Sequence, residues 1–357
     1  MNSKFIHISL LAIFVFVAGV LFPTTSKAVS LDALRIYGYF DLEYEQASNS
    51  QGNKNGSFDN HHFNLLMDFP VSNELIVKTH VEFEHGVDSG NSFGTVKLEW
   101  AFFEYSFQDA FQLRGGKHFS PFGFYNEIRD STPAFLSLDV PASIYFSRLR
   151  GGYDFVFEQN TGINLLGQSI SLNPFGQNWE MDYSVYVGNG GNTATTNPAE
   201  FDDNSNKAVG GRVNLYPSET FRVGLSFFTG DKAVNANQDA AHNTLAVSMG
   251  FDSELFFLVS EGAYSKFNGT EQYAGYLQAS MNRGIYSPYY RYEILNPDTS
   301  LPDDNWKTHI IGLNSNLTKG MYLKTEIDYH DRGKGNRFVT KGQTTYFEYK
   351  AAVVVAF

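Results

Sequence analysis

The chain closes on the stretch 344–357, TTYFEYKAAVVVAF. Counted back by twos from the end, Phe357, Val355, Val353, Ala351, Tyr349 and Phe347 form one apolar row, with its aromatics toward the far end. The other row, Ala356, Val354, Ala352, Lys350, Glu348 and Tyr346, mixes small residues with a base and an acid. A period of two is the strand period, because successive side chains of an extended chain point to opposite sides. The reading is a strand with one face for apolar surroundings, one for water, and a bare Phe at its end.

The same two-faced pattern recurs through the chain. In 34–46, LRIYGYFDLEYEQ, the row Leu34, Ile36, Gly38, Phe40, Leu42, Tyr44 separates from Arg35, Tyr37, Tyr39, Asp41, Glu43, Glu45. Sixteen such stretches are expected, at 34–47, 58–69, 74–86, 95–107, 111–118, 160–167, 178–188, 207–216, 221–230, 242–252, 255–267, 271–282, 285–294, 307–317, 321–330 and 344–357. Their connections alternate short and long, the short ones falling near Pro70, Asp109, 167–177, Ser218, Ser253, Arg283 and Lys319. That asymmetry, with an even strand count, is expected of an all-β, antiparallel transmembrane barrel of the up-and-down kind. Sixteen strands leave an aqueous lumen, where eight would be filled by side chains. A secreted sandwich would bury its apolar faces, and no propeller-like repeat of fixed period is present. Two irregularities stand out. The alternation slips at Phe102-Phe103-Glu104, which predicts a bulge there, and parity in 255–267 puts Glu261 on the apolar, outward face.

Composition agrees. The 357 residues include 33 Phe and 21 Tyr but no Cys, so disulfides and thiolate chemistry are excluded. Residues 1–28 read as a cleaved signal peptide, with Lys4 before an apolar core from Ile8 to Phe22 and a small-x-small site at Ser26-Lys27-Ala28. Residues 29–357 would then be a single barrel domain, and loss of Lys4 and Lys27 would move the net charge from −12 to −14. Such an acidic chain is a poor match for nucleic acid. The expected lumen wall carries Arg35, Lys78, Arg114 and Arg291 among Asp41, Glu43, Glu82 and Glu326.

One insertion breaks the rhythm, 117–159, KHFSPFGFYNEIRDSTPAFLSLDVPASIYFSRLRGGYDFVFEQ. It is aromatic and charged where the other long connections are rich in Asn and Gly. Folded inward after the fifth strand, it would pack apolar groups on itself and narrow the channel. Lys117, Glu127, Arg129, Asp130, Asp139, Arg148 and Arg150 would then form the pore constriction.

The run 115–143, GGKHFSPFGFYNEIRDSTPAFLSLDVPAS, the strand count and the terminal Phe together resemble bacterial outer-membrane porins. The nearest are the phosphate-selective O and P porins and related general porins. The resemblance implies a Gram-negative outer-membrane location, contact with lipid and lipopolysaccharide, an inward constriction loop and a homotrimer. It also implies ion transport and passive diffusion of small hydrophilic solutes, with no cofactor. The phosphate-selective members share a ladder of basic lumen residues, which this chain replaces with mixed charge, so phosphate selectivity is not carried over. The net charge favours cations instead, within a screening length of about 8–10 Å. The alternatives are an anion-selective channel of the phosphate type and a closed structural or adhesive barrel.

Other chemistry is less well supported. His80, Glu82 and Glu84 share a face, beside His85 and the His61-His62 pair; metal ligation is conceivable there, but a solvated lumen wall is the reading adopted and no metal is expected. His118, Ser120 and Asp130 lack the spacing of a hydrolase, so no enzyme is expected. Gly115-Gly116 and Gly151-Gly152 read as hinges bracketing the insertion, and Asn189–Asn197 as a solvated tip.

Overall fold

A computed structural model describes residues 33–49, 52–84, 95–190, 206–235, 238–339 and 342–357. The signal-peptide reading, His85, the side chain of Glu84 and most of the Asn/Gly-rich tip at 191–205 lie outside the described residues.

The strands are β1 Arg35–Ala47, β2 in two pieces (Ser57–Asp59 and His62–Pro70), β3 Leu75–Glu84, β4 Thr95–Gln108 and β5 Phe111–Phe119. They continue as β6 Gln159–Leu172, β7 Trp179–Gly188, β8 Ala208–Ser218, β9 Phe221–Asn235, β10 Gln238–Asp252 and β11 Phe256–Phe267. The last five are β12 Thr270–Met281, β13 Tyr286–Asn296, β14 Trp306–Thr318, β15 Met321–Arg332 and β16 Thr345–Ala356. Both pieces of β2 pair with β1, so they form one strand broken at Asn60-His61, and the barrel has sixteen. Each strand is antiparallel to its sequence neighbours, and β1 closes on β16 from Tyr39↔Ala356 to Ala47↔Glu348. Closure leaves no unpaired edge, the condition for strands to cross lipid.

Alternation decides what each face meets. On β10 the outward Leu245, Val247 and Met249 are half exposed, while His242, Thr244 and Ser248 are buried inside. The outward row continues with Leu225, Leu258, Leu277, Ile311 and Ile327, and with Tyr290, Phe347 and Tyr349. A closed barrel with an apolar exterior and polar interior is a membrane-spanning barrel. No helix among the described residues is long and apolar enough to cross a membrane; the crossing elements are strands.

Three sequence expectations change. The bulge lies at Glu99, where His80↔Trp100 is followed by Val81↔Leu98, and not at Phe102–Glu104. The extra residue lets Lys97 and Glu99 face inward before it, and Trp100, Phe102 and Glu104 after it. Strands β9 and β10 run on to Asn235 and Gln238, because a polar ladder can stand above the membrane without apolar residues. Glu261 points inward and is 3% exposed. Its row mates Val259 and Ala263 are apolar yet inward, because they pack against the inserted loop and not against water.

Candidate constriction loop and lumen

Residues 120–158, between β5 and β6, fold into the barrel through short turns at Asn126–Ile128, Thr132–Ala134, Ala142–Tyr145 and Ser147–Arg150. Phe122, Tyr125, Phe135, Val140, Ile144, Tyr145 and Phe155 form a dry cluster with Val259, Ala263, Ala274, Tyr276 and Leu295 of the wall. Removing these aromatics from water drives the loop inward, at about 25 cal/mol per Å² of apolar surface. At the root of the loop, Gly116 has φ +136°, and a Cβ there would lie 2.4 Å from the Ala101 carbonyl.

Burying a loop backbone requires partners for its N–H and C=O groups, and charged wall residues supply them. Lys324, fully buried, donates to the carbonyls of Thr132 (2.6 Å), Phe135 and Ser137 (2.8 Å), which uses all three ammonium protons. Arg291 donates to Ser137 Oγ (2.7 Å) and the Asp139 carbonyl (3.0 Å), while Glu293 accepts the Ser143 N–H at 2.8 Å. Glu326 accepts the Leu138 N–H (2.6 Å) and the Tyr289 hydroxyl. Glu261 accepts from Phe124 N–H (3.1 Å), Ser248 (3.0 Å), Tyr145 (2.8 Å) and Tyr276 (2.6 Å). Asp41 accepts from Thr132 Oγ1 at 3.1 Å and from His62 N–H at 2.7 Å. Several wall charges therefore hold the loop.

The remaining candidates divide by place. Glu127 lies between Arg114 (3.5 Å) and Arg212, and Arg114 also holds Glu104 at 2.8 Å. Burial opposes ionisation of Glu127, but Arg212 and then Arg114 keep its carboxyl below the usual range. Arg129 packs over the Phe146 ring and faces Glu158 (3.4 Å) and Asp130 (3.8 Å). Asp130, Glu158 and Glu99 bring carboxylate oxygens within 4.8 Å of one another. Burial, followed by the charge of Glu158, pushes Asp130 well above the ordinary carboxylate value. Asp139 meets Lys350 at 3.0 Å; burial works against its charge, but Lys350 holds it down at about 2. Lys117 donates to the Leu98 carbonyl, and Arg150 lies over Trp306 and donates to Thr308. Glu43 meets His61 at 3.3 Å, and Glu82 meets His62 (3.6 Å) and Lys97 (3.8 Å).

Three candidates lie apart from this group. Arg148, 71% exposed, stands on the outer rim beside Asp154 at 3.9 Å. Arg35 is exposed at the short-turn end, and Lys78 is half-buried on the register pair with Asp68.

Cavities flank the loop on both sides. On the long-loop side a space of about 480 Å³ is lined by Glu43, Glu82, Glu99, Asp130, Asp139, Glu158 and Glu348 against Lys97, Arg129, Arg150 and Lys350. On the short-turn side a space of about 90 Å³ is lined by Arg114, Glu127, Asn164, Asp182 and Arg212.

Among the described residues two groups have metal-ligand geometry, Glu99–Asp130–Glu158 and Asp328–His330–Glu348. In the second, Trp306 Nε1–H donates to His330 Nδ1 (3.2 Å), so Nε2 carries the proton toward Glu348 at 3.1 Å. Lys350, 3.5 Å from Asp328 and 3.8 Å from Glu348, already supplies the cation there. His80 is buried and bonded to Asn64 Oδ1 at 2.8 Å.

Inward parity puts Lys324 and Glu293 on the lumen side from sequence, but their bonds to the loop backbone have no sequence signal. Nothing short of the loop packing could have found Glu261.

The fold is that of bacterial outer-membrane porins. The anion-selective porin from Comamonas acidovorans aligns with TM-score 0.63 and 12% identity, over 91% of this chain and 99% of that one. The outer-membrane channel DcaP of Acinetobacter baumannii aligns with TM-score 0.62 and 13% identity, over 93% of this chain and 100% of that one. OmpT of Vibrio cholerae, in a trimer form, aligns with TM-score 0.59 and 12% identity, over 91% and 99% of the two chains. No known family profile matches the sequence. An uncharacterised protein of Aquifex aeolicus (strain VF5) is 29% identical over 121 residues, 33% of this chain and 27% of that protein.

Proposed function

We propose that this barrel is a Gram-negative outer-membrane channel for passive diffusion of small hydrophilic solutes and ions, with a mild preference for cations. The observation that carries the preference is the long-loop cavity, where seven Asp and Glu side chains outnumber four Lys and Arg, an excess that protonated Asp130 and the neighbouring His61 and His62 reduce to a small one. Fixed charge of one sign in a low-dielectric cleft raises the local concentration of counter-ions. The solute path runs from this vestibule past Arg129, Asp130 and Glu158, beside Glu127, and into the cavity bounded by Arg114 and Arg212. Asp139 and Arg150 line its approach, Lys117 stands at the loop root, and Arg148 marks the outer rim. The loop-holding charges Arg291, Lys324 and Glu326 set the shape of the passage without meeting the solute.

The same proposal includes a cleaved leader at 1–28, a homotrimeric assembly and contact of the outward aromatics with lipid and lipopolysaccharide. Transport needs neither cofactor nor catalysis in this reading.

The test is single-channel recording in a planar bilayer, with the reversal potential measured across a KCl gradient. A potential of the cation-selective sign in three linked conductance steps is expected. The anion-selective sign would favour a phosphate-type channel, and absence of conductance from folded protein would favour a closed adhesive barrel.

A further inference from the structure

Outside the channel, the rim at the long-loop end carries a separate concavity of about 370 Å³. Four segments distant in sequence build it: residues 151–153 of the inward loop, the β11–β12 turn, the connection after β13 and the connection after β15. They are fixed to one another by specific bonds. Gln272, fully buried, accepts the Tyr153 N–H at 3.0 Å and donates to the Tyr153 carbonyl at 2.6 Å. Asn336 donates to the Asp304 carbonyl (2.8 Å), Arg337 to the Gly152 carbonyl (3.2 Å), and Asp298 N–H to Asp304 Oδ2 (3.0 Å). A Cβ on Gly152 would stand 2.5 Å from Gln272 Oε1, so any larger residue there would displace the amide that holds Tyr153. The pocket is preformed.

Its lining has two chemistries. Tyr153 and Phe267, with ring centroids 5.4 Å apart, supply aromatic surface. Asp298, Asp304, Asn336 and Arg337 supply polar groups. Asp304 is 3% exposed, and its Oδ1 has no hydrogen-bond partner among the described residues. A buried carboxylate oxygen without a donor is costly, and a ligand that brings one would relieve that cost.

We propose that this pocket binds a pyranose ring of a saccharide. The volume falls within the range of small-ligand sites, roughly 300–1,000 Å³. A sugar offers an apolar C–H face to the rings, and hydroxyls that both donate and accept toward the carboxylates, the amide and the guanidinium. A simple anion would meet two carboxylates, and a hydrated cation would have to shed water against the aromatic half. The sugar can come from a free solute or from a cell-surface glycan, and the chemistry is the same for both. The proposal does not depend on the channel reading.

The test is calorimetric titration of the purified, detergent-solubilised full chain with maltose, with isolated lipopolysaccharide polysaccharide and with calcium chloride. Saturable binding of maltose identifies a free-solute site, and binding of the polysaccharide alone identifies a glycan site. Either must weaken at least 10-fold in each of Asp304→Asn and Phe267→Ala that folds, while single-channel conductance stays at the wild-type value. Phe267→Ala retains the carboxylate, so a misfolded Asp304→Asn protein leaves the test intact. Absence of binding to both sugars, sugar binding that a folded variant of either kind leaves unchanged, or calcium as the one saturating probe overturns the proposal.

Discussion

Lys324→Met asks whether the wall holds the loop. The substitution keeps most of the side-chain volume but removes three donors, leaving the carbonyls of Thr132, Phe135 and Ser137 without their partner inside the barrel. A buried polar group left unsatisfied costs about 1–3 kcal/mol. At the low end, three of them cost about 3 kcal/mol, or a factor of about 100 in the ratio of latched to released loop. The cost falls on the loop, because the ladders of β15 to β14 and β16 use backbone groups only. The expected result is a folded barrel whose open-channel current fluctuates, and whose loop is cut by trypsin at Arg129, Arg148 or Arg150 under conditions that spare the wild type. A folded variant with wild-type noise and wild-type trypsin resistance would refute the latch.

Further outcomes follow from the same contacts. Glu261→Leu would stabilise a lipid-facing position, but here it strips four donors of their acceptor; urea unfolding in lipid vesicles should show a loss of about 3 kcal/mol or more. Arg129→Gln, in a ring of Asp130 and Glu158, should shift the reversal potential further toward cations, whereas Arg148→Gln on the exposed rim should leave it unchanged. Asp130 binds its proton more tightly in the folded chain than in the unfolded one, so its contribution to stability falls as pH rises above the unfolded value of about 3.9. Asp130→Asn should therefore match the wild-type melting temperature near pH 4 and exceed it increasingly at higher pH. Asp139 has the opposite sign, and its contribution is lost as pH falls through its folded value of about 2.

Much of this architecture was legible in the sequence, because alternation has a fixed period and the membrane and lumen impose opposite demands on the two rows. The terminal stretch 344–357 gave both the strand and its two environments, and the aromatic insertion announced a loop that would avoid water. Alternation failed where a third environment intervened. Val259 and Ala263 face a dry loop inside the lumen, so their apolarity reversed the apparent parity of β11 and placed Glu261 outside. Alternation points to Phe102–Glu104 for the bulge that lies at Glu99, because charged and aromatic residues occur on both sides of it. The tight β11–β12 hairpin rests on Asn268 and Gly269, both at positive φ, an Asn-Gly signal of local origin. The division of lumen charges into loop holders and solute-facing groups was not legible, since both have inward parity and only the folded loop separates them.

The central claim is that solute passes beside Glu158 and Arg129. The chain has no cysteine, so Glu158→Cys would present a single reactive thiol at a position whose side chain is 41% exposed. The decisive measurement is single-channel current before and after that thiol receives a bulky cationic methanethiosulfonate reagent. A stepwise fall in conductance with a shift toward anions is predicted. Complete labelling with current and selectivity unchanged would contradict the account.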